Sequence, residues 1–312
     1  RIGDHTVRCL RHGIADLLTL QGVGKRYGNI TALNPTDLVL RCGEVYSLVG
    51  ETGSGKTTLA MTAAGAIEPD AGERVFHESD PDFKKGTIPR FMARRIGVVY
   101  QNPAESVSHR FSVFDIVAEP LKIHEPRMPK AEVKAHVTRV LDEVHLSTDE
   151  SFLSRYPHEL NMGAIQRVCI ARALVLEPSL LVADEPTSSL DPSVQAKVLK
   201  LLLDLQTERG LTMLFVTHDM GVARKISDRL GVMLCGDLVE VGPASQMMAC
   251  PAHPYTRFLV TRVGGGRKEV PRRSDGVEAA GGCPFFTRCP QAQPICRNEK
   301  PALSQWDHRE VA

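Results

Sequence analysis

The chain has almost no net charge. Its 312 residues carry 38 basic and 37 acidic side chains, a formal charge of +1, so no overall field draws it to nucleic acid or to an anionic membrane surface. No apolar run approaches 18 residues and no signal-peptide pattern opens the chain, so a soluble protein is expected. The expectation is a cytoplasmic protein without a nucleic-acid partner. A disulfide framework is missing too. The eight cysteines, Cys9, Cys42, Cys169, Cys235, Cys250, Cys283, Cys289 and Cys296, are scattered and then clustered near the end, a pattern that in a cytoplasmic protein points away from cross-linking. What remains is a globular composition, 42% hydrophobic, able to bury the core of one large domain or two smaller ones.

The most informative stretch runs from Val45 to Thr58, VYSLVGETGSGKTT. Gly50, Gly55, Lys56 and Thr57 satisfy the G-x-x-x-x-G-K-[ST] phosphate loop, with an apolar run before it and the helix-compatible Leu59 to Ala64 after it. Glycines let backbone N–H groups curl round an anion, here over Gly50, Thr52, Gly53, Ser54, Gly55 and Thr58, and the helix N-terminus adds partial positive charge. Lys56 is expected to reach the β- and γ-phosphates and the Thr57 hydroxyl to ligate magnesium.

Further buried-strand runs end in polar tips. Arg95 to Tyr100 ends at Gln101, suited to touching a metal or an attacking water; Leu180 to Ala183 ends at Asp184 and Glu185; Leu211 to Thr217 ends at His218. A strand that delivers one carboxylate to magnesium beside a second that polarises water is the other half of a nucleotide site. In open α/β sheets ligands sit outside the carboxyl ends of the strands, so these tips can converge with the phosphate loop on one crevice. Upstream, Leu17 to Gly28 and Ala32 to Val45 read as short strands of a small antiparallel sheet. Tyr27 there is either a half-buried strand aromatic or a ring that stacks on adenine. Val133, Val137, Val140, Leu141 and Val144 mark one face of a helix that starts near Pro129, within a helical insertion of about 103–165, and Ser193 to Arg209 reads as another amphipathic helix.

Together Gly50 to Thr57, Gln101, Leu160 to Arg167, Leu180 to Glu185, Ser189-Leu-Asp191 and His218 resemble the ordered motif set of ABC-transporter nucleotide-binding subunits. The surrounding Tyr156-Pro-His-Glu-Leu, Thr217-His-Asp-Met and Pro251-Ala-His-Pro-Tyr-Thr-Arg are similar to the oligopeptide, dipeptide and nickel importer ATPases. The resemblance covers roughly Leu17 to Pro301. It implies a P-loop core, mostly parallel sheet flanked by helices, with a small antiparallel β subdomain, the helical insertion and a Cys-containing C-terminal extension. On that division residues 1–15 are an upstream tail or linker, 16–262 the ATPase domain and 263–312 the extension. The resemblance also implies roles: Tyr27 stacks on adenine, Lys56 and Thr57 hold phosphate and magnesium, and Gln101 is a metal-touching hinge coupled to the membrane subunit. Asp184 holds magnesium, Glu185 is the catalytic base, Asp191 contacts a second subunit and His218 senses the γ-phosphate. The family works as a head-to-tail pair, each ATP lying between one subunit's phosphate loop and the other's signature segment. The implied partners are a second ATPase domain, membrane permeases and, through them, a solute-binding protein, with the chain peripheral on the inner face of the cell membrane. A second reading is a soluble ABC ATPase that remodels or activates an enzyme complex, as relatives do in phosphonate breakdown.

One motif departs from the family. Its Leu-Ser-Gly-Gly reads Leu160-Asn161-Met162-Gly163 here. Asn161 caps a helix about as well as Ser and can donate from its amide. Met162 puts an apolar side chain where glycine lets backbone approach phosphate. The site completed by Asn161 and Gly163 is therefore expected to bind ATP but turn it over slowly, within an asymmetric pair. In the tail, Cys283, Cys289 and Cys296 supply three thiols where zinc or an iron–sulfur cluster takes four. Members of the peptide-importer group carry a further Cys and some hold a four-iron four-sulfur cluster, so the same metal is expected of the intact protein. The stretch Asp4-His-Thr-Val-Arg-Cys9 looks like the ending of a preceding copy, giving the expectation of a longer, tandem parent.

Overall fold

The computed structural model describes residues 15–77, 94–262, 281–307 and 309–312. The chain opens with two long strands, β1 (Asp16–Tyr27) and β2 (Ile30–Arg41), then runs through β3 (Val45–Val49) into helix α1 (Lys56–Ala64) and strand β4 (Ala71–Phe76). Next come β5 (Ile96–Val99) and a helical stretch of α2 (Val113–His124), α3 (Lys130–Glu143), α4 (Glu150–Leu153) and α5 (Met162–Leu174). The chain returns to the sheet with β6 (Leu180–Asp184), α6 (Pro192–Arg209), β7 (Thr212–Thr217), α7 (Met220–Ile226), β8 (Arg229–Leu234) and β9 (Asp237–Pro243). Helices α8 (Ala244–Ala249) and α9 (Pro254–Thr261) lead to a tail that ends in β10 (Ser304–Trp306) and β11 (Arg309–Val311).

The fold is α/β. Its main sheet has the order β5-β6-β7-β3-β8-β9-β11-β10, parallel from β5 to β8 and antiparallel beyond. Every residue of β3, β6 and β7 is buried, as near-continuous apolar runs require when helices cover both faces of a parallel sheet. One face carries Leu48, Leu59, Ala63 and Leu214, with β1 and β2 packed over α1; the other carries Phe215, Leu202, Ile170 and the buried stripe of α3. That stripe, Val133, Val137, Val140 and Leu141, is the face that the valine spacing predicts, and Pro129 stands at the helix N-cap. The antiparallel subdomain is the sheet β2-β1-β4. The two strands before the phosphate loop are longer than the broken pattern of Gly, Asn and Pro suggests, because register shifts between Leu20 and Val23 and between Val23 and Lys25 absorb the irregular residues.

The tail differs from the strand-poor extension that its Pro and Gly content suggests. Glu310 and Val311 of β11 pair with Val241 and Glu240 of β9, and so continue the main sheet. The pairing is fixed from inside by Arg309, 2% exposed, whose Nη1 donates to Glu240 Oε1 at 3.3 Å and to the Cys250 carbonyl at 2.6 Å. A buried pair that loses one partner leaves an uncompensated charge costing about 3–5 kcal/mol, so this register resists slippage. The expected upstream tail lies outside the described residues except for Ala15, and 263–280 of the expected extension lie outside them as well.

Two stability predictions follow from this packing. Gly97 in β5 faces α5 so closely that a Cβ would collide with the Ala173 carbonyl. Gly97→Ala should cost about 1–3 kcal/mol of overpacking, read as a lower denaturation midpoint; an unchanged midpoint would show that the helix yields freely. His253 caps α9 by accepting the Tyr255 N–H on Nδ1 at 3.1 Å, and burial pushes its pKa down from 6.5 to about 4. The folded ring stays neutral while the unfolded chain takes up a proton below about pH 6.5. Stability should therefore be full above that pH and fall as the pH drops towards 4. His253→Asn, which can still cap, should flatten the profile, and coincident profiles would contradict the assignment.

Candidate functional site

The phosphate loop lies at the carboxyl end of β3, between the ends of β7 and β8. Its close fit explains two glycines. A Cβ on Gly50 would collide with the Met233 carbonyl, and one on Gly55, whose φ is +99°, would lie 2.5 Å from the Ala32 carbonyl. Gly55 is the N-cap of α1, so the positive end of that helix faces the loop. Ser54 is buried with its hydroxyl unpaired. Lys56 is 5% exposed, and its ammonium donates to the carbonyls of Gly50 at 3.0 Å and Glu51 at 2.8 Å. Burial lowers its pKa, while Glu185, Asp184 and Glu51 pull it back up.

The other strand tips arrive at the same level because the sheet is in register there. Val49 pairs with Thr217, Asp184 with Val216, and Val99 with Ala183. Asp184 is 4% exposed; burial raises its pKa, a hydrogen bond with Thr57 lowers it, and the neighbouring Glu185 charge raises it further. Its Oδ1 is buried without a partner. An unpaired buried carboxylate oxygen beside a threonine hydroxyl and close to an ammonium fits a hard divalent cation, so the chain's own donors suit magnesium. Glu185 takes φ +45°, a left-handed backbone that costs a non-glycine residue about 1–3 kcal/mol. The twist is held by its N–H on the Val216 carbonyl at 2.9 Å. It turns the carboxylate so that Oε2 accepts from Gln101 Nε2 at 3.2 Å and meets His218 Nδ1 at 3.0 Å. A carboxylate held on two sides in this way can orient a water and accept its proton.

A crevice of about 1200 Å³ is lined by Tyr27, Thr52, Gly53, Gly55, Lys56, Thr57, Thr58, Gln101, Glu185 and His218, whereas Gly50, Ser54 and Asp184 lie outside its lining. Tyr27, the last residue of β1, is 49% exposed. Met162 also reaches the crevice, whereas Asn161, Gly163 and Asp191 do not line it. Asn161 caps α5, its Oδ1 accepting the Ala164 N–H at 2.9 Å, and Asp191 is the exposed N-cap of α6.

The metal expected at the three tail cysteines is not shown. Among the described residues no group of three or more His, Cys, Asp or Glu side chains is arranged to hold a metal ion. Burial pushes the Cys283 thiol up, and the nearby Cys296 and Cys289 push it further. Sequence reading also missed residues that complete the loop's surroundings. Cys235 and Gly236 line the crevice from the turn after β8, and Tyr255 and Arg288 bind Glu51. No local pattern points to them, since more than 200 positions separate each of the last two from the loop.

Comparison with known proteins accords with this geometry. The family described as ABC transporter matches residues 33–188, and the family described as oligopeptide/dipeptide transporter, C-terminal region, matches residues 239–296. A Brucella abortus (strain 2308) protein named "Putative peptide import ATP-binding protein" is 38% identical over 290 residues, 91% of this chain and 86% of its own. A similarly named protein of Brucella ovis is 38% identical over 304 residues, 93% of this chain and 94% of its own. Among solved structures, cbiO1 from Clostridium perfringens, part of the ABC transporter complex cbiONQ, superposes with a TM-score of 0.66 at 28% identity over 76% of this chain and 92% of its own. The ATP-binding cassette MJ0796, in a dimeric post-hydrolysis state with ADP and Pi, does so with a TM-score of 0.64 at 29% identity over 73% of this chain and 99% of its own. The crevice, the motifs around it and these likenesses together place the chain in the ABC transporter family, as an ABC ATPase that carries the C-terminal region of the oligopeptide/dipeptide group.

Proposed function

We propose that this chain is the ATP-binding and ATP-hydrolysing subunit of a peptide or nickel importer, working through ATP-dependent closure on a second ATPase domain. The observation that carries the reading is the Glu185 carboxylate, held between Gln101 and His218 within electrostatic reach of Lys56 and Asp184. In it, Tyr27 stacks on adenine, the amides from Thr52 to Thr58 and the Lys56 ammonium hold the triphosphate, and Thr57, Asp184 and Gln101 hold magnesium. Once bound, that ion offsets the charge that builds on the β- and γ-oxygens. Glu185 orients the attacking water and takes its proton, and His218 contacts the γ-phosphate. The tail's likeness to the oligopeptide/dipeptide transporter region and the names of the relatives support import over the activation of an enzyme complex. In the import reading the chain is peripheral on the inner face of the membrane, docked on permeases that receive solute from a binding protein. No iron–sulfur cluster enters this proposal.

The signature segment serves the partner's nucleotide. The Asn161 oxygen is committed to the cap of α5, which leaves its amide N–H₂ to donate to phosphate, with Gly163 beside it and Asp191 at the subunit boundary. Met162, 39% exposed at the start of that helix, occupies the space through which backbone would approach the γ-phosphate. The pair is therefore asymmetric, with this chain's own Lys56, Glu185 and His218 serving a partner's signature.

Two measurements test this. Glu185→Gln should lower ATP hydrolysis by about 100-fold or more while ATP affinity stays within about twofold; retained hydrolysis would remove Glu185 as base. Met162→Gly should raise turnover in the assembled transporter, and unchanged turnover would contradict the steric account of that residue.

A further inference from the structure

The phosphate loop is anchored from the far end of the chain. Glu51, the residue after Gly50, is held at three points: its carbonyl accepts from Lys56 at 2.8 Å, its N–H donates to the Tyr255 hydroxyl at 2.9 Å, and its carboxylate is bound bidentately by Arg288. The two Arg288 bonds measure 2.8 Å from Nη1 to Oε1 and 3.1 Å from Nη2 to Oε2. Two of the three anchors thus come from the C-terminal region. Tyr255 is fully buried at the start of α9, and its ring packs on Phe285 with centroids 5.3 Å apart. Phe285, 1% exposed, docks the tail, and the Arg288 guanidinium lies 5.1 Å from its ring and 5.9 Å from that of Tyr255. Tight turns fix the segment that presents Arg288. The Cys283 N–H donates to the Cys296 carbonyl at 2.9 Å, Phe286 to Cys283 at 3.0 Å and Arg288 to Phe285 at 2.9 Å.

A loop with Gly at 50, 53 and 55 pays heavily in conformational entropy to hold one shape. Any contact that holds that shape before ligand arrives raises affinity by cutting the ordering cost. A lone exposed ion pair would do little, but a forked guanidinium–carboxylate pair between a buried-ring platform and the loop has the fixed geometry that makes such pairs effective. We propose that Arg288 is a positioning residue for the phosphate loop: by gripping the Glu51 carboxylate it keeps the Gly50–Gly53 turn in its triphosphate-binding shape, so that the C-terminal segment sets nucleotide affinity. This rests on the reading of the loop as the ATP site.

The test is a double-mutant cycle on the full 312-residue chain, titrating a fluorescent methylanthraniloyl-ATP with magnesium. Arg288→Ala and Glu51→Gln should each raise Kd about five- to tenfold. The double variant should be no weaker than the worse single, and Arg288→Lys should fall between Arg288→Ala and wild type. Should Arg288→Ala fail to fold, Arg288→Lys and Glu51→Gln decide the matter. Affinities within about twofold of wild type in the single variants, with only the unfolding temperature lowered, would overturn the inference, as would losses that multiply fully in the double variant. A wild-type chain that does not bind the probe would instead overturn the nucleotide reading beneath it.

Discussion

The constraint on which this structure depends is the placement of an anion-binding turn at the carboxyl end of a strand buried on both faces. Strand β3 is pinned on both sides, Val49 against Thr217 of β7 and against Val232 of β8. Because β6 continues the same parallel register, Asp184 falls opposite Val216, and the first residues beyond each strand share one edge. Gly50, Glu185 and His218 are those residues. The core thus acts on the chemistry through alignment.

The same economy explains what could be read in advance. The phosphate loop is legible because it is a contiguous pattern of glycines, lysine and threonine. The strand tips are legible because buried parallel strands are unbroken apolar runs, and a polar residue that ends such a run has few places to go. The valine spacing of α3 and the leucine spacing of α6 survive into the core for the same reason. What could not be read is long-range or conformational. Nothing in Asp184-Glu185-Pro announces that Glu185 adopts a left-handed backbone, since that follows from its N–H reaching the Val216 carbonyl on a neighbouring strand. Tail residues rich in Pro and Cys suggest an appendage, yet Arg309 enters the interior to meet Glu240, and its strand extends the sheet. That pairing joins positions 69 apart, beyond any periodicity.

The C-terminal region therefore does more than trail behind the ATPase core. Phe285 and Tyr255 share a cluster with Val49, the last residue of β3, and with Leu230 and Val232 of β8. Glu240 binds the N–H groups of Ala252 and His253 as well as Arg309, tying the start of α9 to the edge strands. An apolar contact, a buried ion pair and a helix cap thus converge on the segment beside the phosphate loop. The family-specific tail and the family-wide loop are in direct contact in this chain.

The most direct measurement is a structure of the chain with magnesium and a nonhydrolysable ATP analogue. The account predicts β- and γ-phosphates wrapped by the amides of residues 52–57, the ammonium of Lys56 upon them, the ion between the Thr57 hydroxyl and Asp184, and the adenine against Tyr27. A triphosphate bound elsewhere, or one that leaves Lys56 and Asp184 out of contact with it and its ion, would contradict it.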